Sequence, residues 1–231
     1  MMKIGIIGAM DVEVAELVSK VVDAKTFTRA GMTFVDGKIG KTPVVVVKSG
    51  VGKVNAGICV QILADVFQVS HVINTGVAGS LDNRIDVGDI VVSTDAVYHD
   101  VDATVFGYQK GEVPQLGTAA FPADEELRKA AVAAVRAADP DVHVFEGRVA
   151  SGDQFIASRE IKNGIKADFD ALCCEMEGCA IAQAAYVNHI PFVIIRAISD
   201  KADESVTVSY DIFEKKAAEH CARLVEYMVT R

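Results

Sequence analysis

The sequence predicts one α/β domain, residues 1–231, folded as a three-layer sandwich with a mixed, mostly parallel central sheet between helices. Three observations carry this. Apolar runs of strand length alternate with amphipathic segments of helix length along the whole chain. The runs Lys3–Ala9 and Pro43–Lys48 are apolar at nearly every position, as in strands buried on both faces. Hydrophobic residues make up 51% of the chain but aromatic ones only 6%, with no tryptophan, so the core is built of Ala, Val, Ile and Leu.

The first run, Lys3–Ala9, reads as a buried strand and is too short to span a membrane. Asp11–Val22 follows as an amphipathic helix, with Val14, Leu17, Val18 and Val21 on one stripe. Thr26–Val35 and Gly37–Ile39 read as antiparallel strands joined at Asp36-Gly37, a strong hairpin signal. Pro43–Lys48 is a Val-rich strand and Lys53–Phe67 a helix, and Val72–Thr75 and Ile90–Ser93 are further strands. The stretch Asp95–Pro122, rich in Gly, Tyr, Asp and Thr, is a long loop of the kind that carries function. Ala123–Ala138 is an Ala-rich helix stopped by Asp139-Pro140. A strand to Ala150, a helix near Ser158–Lys166, a strand at Leu172–Glu175 and a helix from Glu177 to Asn188 come next. A strand at Phe192–Ile198 and a helix from about Ser209 to Met228 complete the chain.

With 23 basic and 32 acidic residues the net charge is −9, which argues against nucleic acid or an anionic membrane as the partner. The five cysteines, at 59, 173, 174, 179 and 221, are odd in number and lack metal-site spacing. They read as buried thiols of a reducing compartment, and with no signal-peptide pattern a cytoplasmic location is expected.

In such sheets ligands collect near the carboxyl ends of strands. The informative residues are therefore those after each apolar run: Met10 and Glu13, Ser49–Lys53, Gly76–Ser80, Ser151–Ile156, Glu175–Glu177, and Ser199–Asp200. Gly50-Val51-Gly52-Lys53 is not a phosphate loop, since Val47 and Val54 stand where that loop needs a glycine and a hydroxyl. It reads as a tight strand-to-helix turn. Tyr98-His99-Asp100-Val101-Asp102 has no second cluster to complete a metal site, and no nucleophile elbow or His triad is present. Carboxylates remain: Glu13, the pair Glu175 and Glu177, and Asp200. Singly, each is explained as a helix N-terminal charge or a turn residue. Together at one sheet edge they mark a site, because a carboxylate beside an apolar strand is costly unless it is paired or used.

At these residues the chain resembles the bacterial 5′-methylthioadenosine/S-adenosylhomocysteine nucleosidases of the nucleoside-phosphorylase superfamily. The matching stretches are Gly8–Val14, Lys48–Ala56, Ile73–Leu81, Val87–Ser93, Tyr98–Tyr108, Ser151–Ile156, Glu175–Ala182 and Arg196–Asp203, so the likeness covers essentially the whole chain. It implies hydrolysis of the bond between adenine and ribose in 5′-substituted adenosines, with water as nucleophile and neither cofactor nor metal. Glu13 is then the base that activates water, helped by Arg196, and Asp200 the acid that protonates adenine. Glu177 accepts from the ribose hydroxyls, with Met176 and Glu175 beside it. Phe155 stacks on adenine, the backbone of Ile156 reads its edge, and Ala78 and Ser199 belong to the same pocket. Met10, Val51 and Tyr210 line the sugar and 5′ side. Phe106 and Pro114 close that side from a neighbouring subunit, so a homodimer is implied.

Such chemistry needs an acid and a base on opposite faces of the sugar. By analogy with inverting glycosidases, the Glu13 and Asp200 carboxyls should stand roughly 6.5–9.5 Å apart. One departure is Val77, where the family commonly has Ser and phosphorylases use a hydroxyl on phosphate. That change, with Asp11 and Glu13 in the first loop, favours water over phosphate. A phosphate-dependent phosphorylase and a non-catalytic nucleoside binder of the same fold are the competing readings.

Overall fold

The computed structural model describes residues 2–204 and 206–230, with backbone alone over 206–212 and at 214. In chain order it contains β1 (Ile4–Gly8), α1 (Asp11–Lys20), β2 (Val22–Arg29), β3 (Met32–Ile39), β4 (Thr42–Lys48), α2 (Lys53–Asp65), β5 (His71–Ser80) and β6 (Ile90–Tyr98). A single 3-10 turn at Thr104–Phe106 precedes β7 (Phe121–Pro122). Then come α3 (Glu125–Ala138), β8 (Val144–Ser151), α4 (Arg159–Phe169), β9 (Cys173–Glu175), α5 (Gly178–Val187), β10 (Phe192–Asp200) and α6 (Val206–Val229).

Continuous apolar runs make central strands because both faces of the sheet are covered. Ile4 and Ile6 of β1, Val44 and Val46 of β4, and Val193 and Ile195 of β10 pack under α1, α3 and α6. The intervening residues Ile7, Val45, Val47 and Ile194 pack under α2 and α5. The result is the expected three-layer α/β domain. Its centre, β4-β1-β5-β10, is parallel. Antiparallel pairings bring in β2 and β3 at one end and β6, β7 and β9 at the other. Because β10 pairs with both β5 and β6, the strands β5, β10, β6, β8 and β9 close into a ring. All five cysteines are free and buried. Among the described residues, no helix is long and apolar enough to cross a membrane.

The hairpin turn falls elsewhere than the sequence suggests. Asp36-Gly37 lies inside β3, with Asp36 opposite Lys25 on one side and Val45 on the other. The chain reverses instead at Ala30-Gly31, where both residues have positive φ, 48° and 75°, as a two-residue turn of the primed type requires. Gly37 is small for a packing reason: a Cβ there would stand 2.5 Å from the Val22 carbonyl oxygen. For the same reason of strand pairing, Val22 opens β2 rather than closing α1.

Several strands outrun their apolar cores. β5 continues through the small residues Gly76–Gly79, β8 to Ser151 and β10 to Asp200, while the first residues of Asp95–Pro122 belong to β6. Pairing between backbones, which no side-chain pattern displays, carries these extensions.

Candidate active site

Most of the residues singled out after the apolar runs meet at one half-open cleft. Met10 and Glu13 come from the β1–α1 junction, Val51 from the turn before α2, and Val77, Ala78 and Gly79 from the end of β5. Gln154, Phe155 and Ile156 follow β8, Glu175 ends β9 with Met176 and Glu177 just after it, and Ser199 and Asp200 end β10. Because β9 runs antiparallel to β5, with Cys174 opposite Gly79, the cleft lies beside the last residues of β5 rather than beyond a row of strand ends.

Glu13 is the third residue of α1 and only 4% exposed. Its Oε2 accepts from the Ala9 and Met10 N–H groups at 2.6 and 2.9 Å, and its Oε1 from Val77 N–H at 3.0 Å. The helix N-terminus thus holds the carboxylate, and stabilising the helix and presenting the carboxylate are one arrangement. Burial raises its pKa, outweighing the attraction of Arg196 and these three N–H bonds. Val77 serves through its backbone, while its side chain packs against the layer of α1, α3 and α6.

Asp200 faces the same cleft, 3% exposed. Its Oδ1 accepts from Ala202 N–H at 2.7 Å and its Oδ2 from the Ser199 hydroxyl at 2.8 Å. Burial raises this pKa too, against both hydrogen bonds. The glycines of β5 make room for the two acids. A Cβ on Gly76 would overlap the Glu13 carboxylate, and one on Gly79 would lie 2.8 Å from Asp200 Oδ1.

The site also holds a buried charged group. Glu175 accepts from the Ser151 hydroxyl, from Arg196 Nη2, and from the N–H groups of Glu177 and Gly178 at 3.2 and 2.7 Å. Arg196, 2% exposed, also donates from Nη2 to Asn74 Oδ1 at 2.5 Å. Burial works against its charge, yet Glu175 and Glu13 keep its pKa above the ordinary arginine value. The help expected of Arg196 to Glu13 involves no direct hydrogen bond between them. The guanidinium is hydrogen-bonded to Glu175 and Asn74, and reaches Glu13 only through its field. On β10 it shares a face with Ile194 and Ile198, which directs it behind the cleft rather than into it.

Glu177 caps the start of α5, and its Oε1 accepts from Gly52 N–H at 2.7 Å. Burial, then the neighbouring Glu175, pushes its pKa up to about 8. Since the folded pKa exceeds the unfolded one, stability falls as pH rises from the ordinary glutamate range through about 8. Such a cost is typical of a carboxylate held for use rather than for folding.

Of the other residues singled out, Phe106 is 80% exposed and Pro114 is exposed, and neither lines the cleft. The Tyr210 side chain lies outside the described residues. Gln154 lines the cleft unanticipated, although it sits in the Ser151–Ile156 stretch. Ser151, already singled out, and Asn74 bond the Glu175–Arg196 pair, and no periodicity distinguishes Asn74 from an ordinary polar residue in a strand. Among the described residues, no three His, Cys, Asp or Glu side chains converge as a metal site requires.

The sequence pattern of the phosphorylase superfamily matches residues 3–230. A 5′-methylthioadenosine/S-adenosylhomocysteine nucleosidase of Shewanella denitrificans is 42% identical over 99% of both chains. The chain belongs to this nucleosidase family. Solved structures of the family agree with it throughout. The nucleosidase of Colwellia psychrerythraea, in complex with adenine, superposes with a TM-score of 0.95 at 42% identity, covering 99% of this chain and 94% of that one. The nucleosidase of Neisseria meningitidis, in complex with methylthio-immucillin-A, gives 0.96 at 38% identity, covering 100% and 99%.

Proposed function

We propose that the chain hydrolyses the N-glycosidic bond of 5′-substituted adenosines, among them 5′-methylthioadenosine, S-adenosylhomocysteine and 5′-deoxyadenosine. The observation that carries this is the pairing in one cleft of two buried carboxyls with raised pKa, Glu13 and Asp200, on separate elements. As the bond from C1′ to adenine breaks, the base leaves with the electron pair and takes the Asp200 proton on its five-membered ring. Water adds its oxygen to C1′ and gives its proton to Glu13. Adenine is a poor anionic leaving group, so an acid held protonated by burial suits the task. Glu177 accepts from the ribose hydroxyls, Met176 packs on the sugar, and Phe155 stacks on adenine while the Ile156 backbone reads its edge. Met10, Val51 and Tyr210 line the sugar and 5′ side, and Ala78 and Ser199 complete the wall. Glu175 and Arg196 hold this constellation from behind. No metal or cofactor enters the scheme.

Water rather than phosphate is the nucleophile, since the first loop carries Asp11 and Glu13 and the Val77 N–H is taken by Glu13. Adenine release from 5′-methylthioadenosine, followed by chromatography, should run at one rate with or without phosphate and yield a free reducing sugar. A requirement for phosphate, with the sugar 1-phosphate as product, would refute this reading.

The chain works as a homodimer in which Phe106 and Pro114 of one protomer reach the cleft of its partner. Supporting this, Val54 and Ile58 stand exposed one turn apart on α2, and Val51 of the cleft lining, Val105 and Phe106 are exposed apolar residues too. Sedimentation equilibrium should give the mass of two chains, and Val54→Asp should shift it toward one; a wild-type monomer that is fully active overturns the arrangement. The buried free thiols support a cytoplasmic setting.

A further inference from the structure

Beside the cleft, outside its lining, lies a compact ionic group that the chemistry above does not use. Lys53, at the first turn of α2, places Nζ 2.6 Å from Asp100 Oδ2 and 3.8 Å from Asp153 Oδ2. Its backbone N–H donates to Asp153 Oδ1 at 2.9 Å, and the Asp153 N–H donates to Asp100 Oδ2 at 2.9 Å. The ammonium also lies 5.3 Å from the centre of the Tyr98 ring. Three separate segments are thereby tied at one point: the turn before α2, the end of β6, and the loop after β8.

Two of these segments carry cleft residues immediately next to the tie. Gly52, one residue before Lys53, donates the N–H that holds Glu177. Gln154, Phe155 and Ile156, directly after Asp153, form the wall assigned to adenine. The loop after β8 also packs tightly on the end of β6, since a Cβ at Gly152 would overlap the His99 ring and stand 2.9 Å from the Asp100 carboxyl carbon. Burial opposes the charge on Asp100, but Lys53 and the Asp153 N–H hold its carboxyl below the ordinary range, so it stays ionised and bound.

We propose that Lys53 is a positioning residue which, through Asp100 and Asp153, locks the ribose-side turn and the adenine-side loop into one rim. This rests on the reading of the cleft as an adenosine site. A rim that only holds the substrate's base and sugar contributes equally before and during bond breakage, so its loss should appear in KM and not in kcat. The matching consequence is that adenine alone, for which the loop after β8 supplies the stacking face and the edge reader, should also bind less tightly.

The test compares wild type with Lys53→Met, Lys53→Arg and Asp153→Asn. It measures kcat and KM for 5′-methylthioadenosine, calorimetric binding of adenine, and Tm. For Lys53→Met, KM and the adenine Kd should rise together by about tenfold or more, tenfold being a loss of about 1.4 kcal/mol of binding. Its kcat should stay within about threefold of wild type, and Lys53→Arg should recover most of the loss. Unchanged KM and adenine Kd in a folded Lys53→Met chain overturn the proposal, as does a loss confined to kcat. If Lys53→Met does not fold, the half-exposed Asp153→Asn decides through adenine binding: weaker binding supports the rim and wild-type binding overturns it. A wild type that binds adenine but turns over no nucleoside would refute the hydrolase while leaving the adenine measurement of the rim valid.

Discussion

Asp200→Asn should lower kcat by about 10²–10⁴ while leaving the fold and adenine binding near wild type. The substitution is nearly isosteric, and its hydrogen bonds can be kept. The Asn oxygen still accepts from Ala202 N–H, and the amide can donate to Ser199, whose hydroxyl can turn to the Ala78 carbonyl 3.4 Å away. What is lost is a transferable proton. The pH profile distinguishes this from general damage. Asp200 must be protonated to act, so activity falls as pH rises through its raised pKa, and in Asp200→Asn that alkaline limb should vanish. Stopped assays of adenine release between pH 5 and pH 10 would show it (on the order of five units suffices to frame both limbs). An unchanged alkaline limb, or a rate within about tenfold of wild type, would remove Asp200 from the acid role. No change in a cleft wall residue such as Val51 or Phe155 should cost as much.

Glu13→Gln should be similarly severe, by about 10²–10⁴ in kcat, for the opposite reason. Glu13 must be ionised to take a proton from water, so activity falls as pH drops through its raised pKa. That acid limb should flatten in Glu13→Gln. The replacement also disturbs local bonding. Both Glu13 oxygens accept, Oε2 from two N–H groups and Oε1 from Val77, whereas Gln offers a single accepting oxygen. Its NH2 must face a donor, at a cost of about 1–3 kcal/mol set against relief of a buried charge. Tm therefore has to accompany the kinetics. Normal turnover by a folded Glu13→Gln chain would sink the assignment of Glu13 as base.

The order of helices and strands was legible because a sheet covered on both faces demands uninterrupted apolar runs, and Ile4–Ile7 and Val44–Val47 supply them. Glu13, Glu177 and Asp200 were legible for a related reason. Each is an acid following an apolar run, and acids are expensive there. The Asp36-Gly37 turn misled because the dipeptide is equally at home in a strand whose neighbour needs space, and only the Val22 backbone reveals that need. How Arg196 is held was not legible, since strand alternation and the position of Asn74 on the adjacent strand β5 decide where the guanidinium goes.

By itself, then, the amino-acid order determined the layers, the family, and which acidic residues line the cleft. Each of those follows from local pattern, from the cost of burying charge, or from motifs spread along the chain. Tertiary structure alone decided three further things. Closure of β10 onto both β5 and β6 brought distant strand ends around one cleft. Burial there raised the pKa of Glu13, Glu177 and Asp200. The three-way tie through Lys53 joined segments some 50 residues apart in sequence. All three arise from contacts between backbones and charges remote along the chain, and their energies depend on distance and desolvation, which no linear pattern contains.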